Sequence, residues 1–189
     1  MIHPPMRQLL LLRHAKSAWD DPALADYARP LNRRGKLSAR IMAAEMQRLG
    51  LVPDVVLVSS AQRTLQTMEA LQPFEGSPII TISDDLYLAP WPSLMGTLNQ
   101  VPDTVRSVLM IGHNPGLHEL ALNLLPPSTP PSESLFRLQE GYPTGALTEF
   151  AIAAPWHELT DGGGRLMSFV VPRDLPGAEQ LNEAEEGHA

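Results

Sequence analysis

The sequence has 189 residues, 43% of them hydrophobic, with a formal net charge of −7 and no cysteine. That length suits one substantial domain, and that composition suits a packed core rather than a disordered chain. Disulfides, thiolate catalysis and cysteine-based zinc sites are excluded, whole-surface attraction to nucleic acid is disfavoured, and no apolar run reaches the roughly 18 residues of a membrane-spanning helix.

Residues 1–7 are too short and proline-rich for a signal peptide, so a cytoplasmic location is the default expectation. Leu9, Leu10, Leu11 and Leu12 then form a continuous apolar run, as in a strand buried on both faces. Residues 20–30 are polar and interrupted by proline, which reads as a loop. Asn32 is placed to cap a helix beginning near Arg33, with Leu37, Ile41 and Ala44 at helical spacing and Met42, Met46 and Leu49 widening the stripe. Gly50 ends this helix and Pro53 prevents its continuation.

Residues 55–58 predict a second buried strand, with Ser60 as the expected cap of a helix carrying Thr64, Met68 and Leu71. Residues 79–82 predict a short third strand, residues 93–100 a helix with Pro92 in its first turn, and residues 105–111 a further apolar strand. A helix over residues 115–124 follows. Strand and helix alternate, which predicts a parallel sheet covered on both faces. Residues 126–134, rich in proline and serine, read as an exposed loop, and residues 145–153 and 165–171 as two more strands able to pair antiparallel. The remainder is acidic and poor in large apolar groups, so residues 176–189 are expected as a mobile tail.

Three distant sites share one placement in this scheme. Arg13 and His14 end the first strand, Arg63 lies in the first helical turn after the second, and His113 ends the later strand over residues 108–111. Ligands of open α/β sheets bind outside the carboxyl ends of the strands, so these residues can converge on one pocket. The residue types fit phosphoryl transfer, where positioning and charge stabilisation do most of the catalysis. Arg13 and Arg63 stay cationic and can fork onto phosphate oxygens. A neutral imidazole at His14 is a competent nucleophile, and neighbouring guanidiniums favour that neutral form. His113 would donate to a phosphate oxygen, and amides of residues 114–117 could add donors at a helix start. The charge distribution agrees: Glu179, Glu183, Glu185 and Glu186 crowd the end, whereas Arg29, Arg33, Arg34, Lys36 and Arg40 cluster early.

The run Leu11-Leu12-Arg13-His14-Ala15-Lys16-Ser17 resembles the signature of the histidine phosphatase (phosphoglycerate mutase-like) superfamily, and the chain is similar to its small SixA-type phosphohistidine phosphatases. The resemblance continues through Arg29-Pro30-Leu31-Asn32-Arg33-Arg34-Gly35, Ser59-Ser60-Ala61-Gln62-Arg63-Thr64 and Gly112-His113-Asn114-Pro115-Gly116. It recurs weakly at Pro143-Thr144-Gly145-Ala146 and Pro172-Arg173-Asp174-Leu175. It implies a three-layer α/β/α sandwich with a mostly parallel central sheet, one such domain over residues 1–175, His14 as phosphoryl acceptor, and Arg13, Arg63 and His113 as the phosphate pocket. It implies no metal and no cofactor.

Larger members of that family place an acid after the third strand, which points to Asp85, with Asp84, Asp20 and Asp21 as rivals. Lys16, Ser17 and Asn114 are candidates for contacts to phosphate or substrate, with a loop role as the alternative for the first two. His118 and Glu119 lack the spacing of a zinc motif, so no metal site is expected. The leading expectation is a phosphatase acting through phosphohistidine on His14. Its compact length suits an open site and hence phosphohistidine on a protein. The alternatives are a small phosphate ester as substrate, or a non-catalytic phosphoprotein-binding module.

Overall fold

The computed structural model describes residues 5–186. Strands β1 (Arg7–Arg13), β2 (Val55–Ser59), β3 (Ile79–Ser83), β4 (Ser107–Gly112), β5 (Leu147–Ile152) and β6 (Gly164–Val170) form one sheet in the order β3-β2-β4-β1-β5-β6. The first four in that order run parallel, and β5 and β6 are antiparallel additions beside β1. Between the strands lie helices α1 (Arg33–Arg48), α2 (Gln62–Leu71), α3 (Trp91–Asn99), α4 (Gly116–Leu124) and α5 (Glu133–Glu140), and α6 (Glu179–Glu186) follows β6.

The apolar runs explain the layers. Successive strand residues face opposite sides of a sheet, so Leu9 and Leu11 join one cluster with Leu94, Leu98, Leu117 and Leu120 of α3 and α4. Leu10 and Leu12 join the opposite cluster with Met42 and Met46 of α1 and Met68 and Leu71 of α2. The same split divides Val55 and Leu57 from Val56 and Val58, and Val108 and Met110 from Leu109 and Ile111. A strand apolar on both faces can be satisfied only between two helical layers, which is the sandwich implied above.

Local signals held unevenly. The Asn32 side chain accepts from Gly35 N at 2.8 Å and caps α1. Gly50 takes the left-handed conformation (φ 64°) just beyond its end. The buried stripe of α1 keeps Ile41, Met42 and Met46 of the expected one, but Ser38, Ala39 and Glu45 also face inward, while Ala44 and Leu49 are exposed. Ser60 is not a helix cap. Ala61 precedes α2 without a side-chain cap, and the Ser60 hydroxyl instead donates to the Asp84 carboxylate.

The expected tail also needs correction. In its described part, α6 buries Leu181 and Ala184, and Arg34 Nη1 of α1 donates to Leu181 O at 3.0 Å. Two apolar residues one turn apart are enough to seat a helix on an existing groove. Residues 187–189 lie outside the described residues. The loop expected over residues 126–134 is present over 126–132; its last two residues open α5, a helix the sequence reading did not include, capped by Ser132 and burying Leu135 and Leu138.

Two glycines let separate segments touch at the carboxyl end of the sheet. A Cβ on Gly35 would stand 2.0 Å from Lys16 O, and one on Gly116 would stand 1.9 Å from Ala89 O. Asn32 N also donates to Lys16 O at 3.0 Å, so the first turn of α1 is pressed against the chain just after His14. Gly35→Ala is expected to cost about 2 kcal/mol or more by overpacking against backbone. Gly96→Ala, inside α3 with open space around it, should be neutral or stabilising. Thermal unfolding of the two variants checks the contrast.

Candidate active site

The strand order β2-β4-β1 sets three carboxyl ends side by side. They present Ser59, His113 and the pair Arg13 and His14 to one depression. Arg13 pairs with Gly112 across β1 and β4, and His14 N donates to Gly112 O at 3.1 Å. The two imidazoles, both buried, stand 5.3 Å apart between ring centroids. Arg63 reaches them from the first turn of α2 and is itself 3% exposed.

His14 is fixed in one tautomer by a simple argument. Its Nδ1 lies 2.7 Å from Ala15 O, and a carbonyl can only accept, so Nδ1 carries the proton. Nε2 is then a lone-pair nitrogen, and Arg63 Nε donates to it at 3.3 Å. Burial pushes the His14 pKa down to about 3; the bond to Ala15 opposes this, and the charges of His113, Arg63 and Arg13 add to the depression. Burial, then the Arg63 charge, likewise pushes His113 down to about 4. Both rings are therefore neutral near pH 7 in the free protein. His113 Nε2 lies 2.7 Å from the buried Ser59 hydroxyl. With that hydroxyl donating, the proton of His113 sits on Nδ1, a buried atom without a partner in the structure.

Arg13 and Asn114 are braced from behind. Arg13 Nη1 donates to Tyr142 O at 2.8 Å, as does Asn114 Nδ2 at 2.9 Å. Arg13 Nε and Asn114 Oδ1 are buried and unpartnered, so Arg13 retains a donor for an anion. Tyr142 is held by its own hydroxyl, which donates to Leu11 O at 2.6 Å and accepts from Thr148.

Among the acids, the structure brings Asp26 to the cluster. Arg63 Nη2 and Nη1 bind Asp26 Oδ2 and its carbonyl at 3.0 and 2.8 Å, and Arg29 binds Oδ1 through Nε and Nη2. The Tyr87 hydroxyl also donates to Asp26 Oδ2. That Tyr87 bond, with those from Arg63 and Arg29, brings the Asp26 carboxyl down to about 2, so it is ionised and acts as a counter-ion. Asp85 is exposed, and its backbone N–H donates to Ser83 Oγ. None of the hydrogen bonds among the described residues joins its carboxylate to His14, Arg13, Arg63 or His113. Asp84 is turned toward Ser60 and Tyr27, while Asp20 and Asp21 are exposed in the loop.

Ser17 is buried, with its hydroxyl accepting from Arg29 Nη1 at 2.9 Å, so it braces Arg29. Lys16 stays exposed beside the site. Sequence reasoning missed Asp26, Tyr87, Thr67 and Tyr142. Only the Asp26 and Arg29 pair, three residues apart, carried a local signal, and it lay in a segment read as plain loop. Among the described residues no group of three or more His, Asp or Glu side chains is gathered to hold a metal ion.

The sequence model of the histidine phosphatase superfamily (branch 1) matches residues 9–86. An uncharacterized protein of Mycobacterium tuberculosis is 32% identical over 162 residues, spanning 86% of this chain and all of that one. A structure assigned as the phosphohistidine phosphatase SixA of Agrobacterium tumefaciens is 30% identical, with a TM-score of 0.72 over 88% of this chain and 98% of that one. Its counterpart from Nakamurella multipartitia is 25% identical, with a TM-score of 0.80 over 90% and 99%. With the fold, the strand-end placement and these relatives in agreement, the chain belongs to the histidine phosphatase superfamily, in its SixA-type group.

Proposed function

We propose that the protein is a phosphatase that works in two steps through phosphohistidine on His14. The observation that carries this reading is the unprotonated Nε2 of His14 held beside the Arg63 guanidinium. Nε2 attacks phosphorus as the bond to the leaving group breaks. Water then attacks the same phosphorus, the N–P bond breaks and inorganic phosphate leaves. Arg13, Arg63 and a proton on His113 stabilise the equatorial oxygens in both steps. The guanidiniums supply the positive charge a metal would otherwise bring, so we propose metal-independent catalysis.

For the substrate we propose phosphohistidine on a protein. The carboxylate nearest the pocket, Asp26, is ionised and pinned by two arginines, which makes it a poor proton donor. A phosphohistidine whose second ring nitrogen is protonated departs as neutral imidazole and needs no enzyme acid. An alkoxide leaving from a phosphate ester does need one. The similarity to proteins assigned as phosphohistidine phosphatases supports the same choice.

His14→Ala should lower turnover at least about 10³-fold while leaving the fold intact; undiminished hydrolysis by a folded variant contradicts the nucleophile. Asp26→Asn should cost on the order of tenfold or more in kcat/KM by loosening Arg63, whereas Asp85→Asn should leave turnover of phosphohistidine near wild type. A large loss in Asp85→Asn alone returns the acid role to that residue.

The free-enzyme imidazoles, at about 3 and about 4, predict a kcat/KM profile without an acid limb near 6.5, once substrate ionisation is subtracted. Both folded values lie below the unfolded one, so the unfolded chain binds more protons over that interval. Stability should thus fall as pH drops from about 6.5 toward about 3. Denaturant unfolding across that range measures it.

A further inference from the structure

Arg33, Lys36 and Arg40 form a row on the exposed face of α1, at the spacing of three and four that aligns side chains. Among the described residues none of the three makes a side-chain hydrogen bond or ion pair. Elsewhere Arg29 and Arg63 are engaged on Asp26, Arg48 on Glu45 and Arg137 on Asp174. Three unpaired cations held together repel one another, and a chain of net charge −7 has acids to spare for neutralising them.

The row is tied to the nucleophile. Gly35 lies against Lys16, two residues after His14, which fixes the start of α1 at the rim of the phosphate pocket. A groove bordered by Lys16, Trp19, Asn32 and Arg33 begins there. It continues into one lined by Arg33, Lys36 and Arg40, with α6 as its far wall through Ala184 and Glu183. Trp19 is 77% exposed, yet the Arg29 guanidinium stacks on its ring at 3.4 Å, and Asp26 holds Arg29 in turn. An exposed aromatic ring on a rigid support is the kind of residue that anchors protein interfaces.

We infer that Trp19 and the row Arg33, Lys36 and Arg40 form a docking surface for an acidic face of the phosphorylated protein substrate. This rests on the protein-substrate reading above and deepens it. From Arg33 to Arg40 the row extends about 10 Å along the helix axis, farther than a small phosphate ester reaches while its phosphorus is at His14. A nucleic acid polyanion is disfavoured by the acidic remainder of the surface. An acidic protein face, smaller in charge and docked by its own phosphohistidine, suits both features.

The test compares wild type with the charge-reversed R33E/K36E/R40E and the neutral R33Q/K36Q/R40Q on two substrates. One is an acidic histidine-phosphotransfer domain phosphorylated on its histidine, and the other is free phosphohistidine. Charge reversal should raise KM for the phosphodomain at least about tenfold at low salt, with kcat retained and the difference shrinking as salt is added. The neutral variant should fall between. Turnover of free phosphohistidine should not change. An unaltered KM for the phosphodomain, or an equal loss on both substrates, overturns the docking surface while leaving the protein substrate standing. If wild type hydrolyses free phosphohistidine but not the phosphodomain, the protein-substrate reading fails and the docking surface fails with it.

Discussion

The hydrogen bond from His14 Nδ1 to Ala15 O is the constraint on which the site depends. Without it the imidazole could present a proton rather than a lone pair to the pocket. The bond is short-range, yet distant parts of the chain hold it. Ala15 N donates to Thr67 Oγ1 at 3.0 Å, and that hydroxyl donates to Arg63 O at 2.7 Å. One helix therefore supplies Arg63 and also clamps the peptide that orients His14. The end of β1 is pinned on its other side, where Gly145 N donates to His14 O. Removing freedom before substrate arrives is how such a site lowers a barrier.

Electrostatics follows from the same packing. Cations gathered around two buried imidazoles would repel one another if left unbalanced. Asp26 offsets part of that repulsion by bridging Arg63 and Arg29, and it leaves Arg63 Nε directed at His14. Tyr87 completes the arrangement: it donates to Asp26, and its ring meets His113 edge-on at 5.4 Å between centroids. The segment after β3 thus contributes a phenol and a ring contact to the cluster, where the sequence had suggested a carboxylic acid.

Legibility in the sequence tracked the range of the interactions. The sheet core was readable because Leu9, Leu10, Leu11 and Leu12 must be buried on both faces, and burial on both faces has few solutions. His14, Arg13, Arg63 and His113 were readable because strand ends converge in this architecture. Asp26 was not, since nothing in a polar loop reveals that it folds back beneath an arginine 37 positions later. The α1 stripe was only partly legible because Ser38 and Glu45 are polar yet buried, and α6 was hidden by an acidic composition that masks Leu181 and Ala184. Tyr142 was invisible for another reason: its backbone carbonyl, which any residue possesses, is what holds Arg13 and Asn114.

A neutral, singly oriented His14 joins the packing to the chemistry. The most direct measurement is the 15N and 1H NMR signature of the His14 ring in the free protein, followed from about pH 5 to about pH 8. The Nδ1-protonated neutral tautomer should persist unchanged across that range. A ring that titrates near 6.5, or that carries its proton on Nε2, would contradict the account.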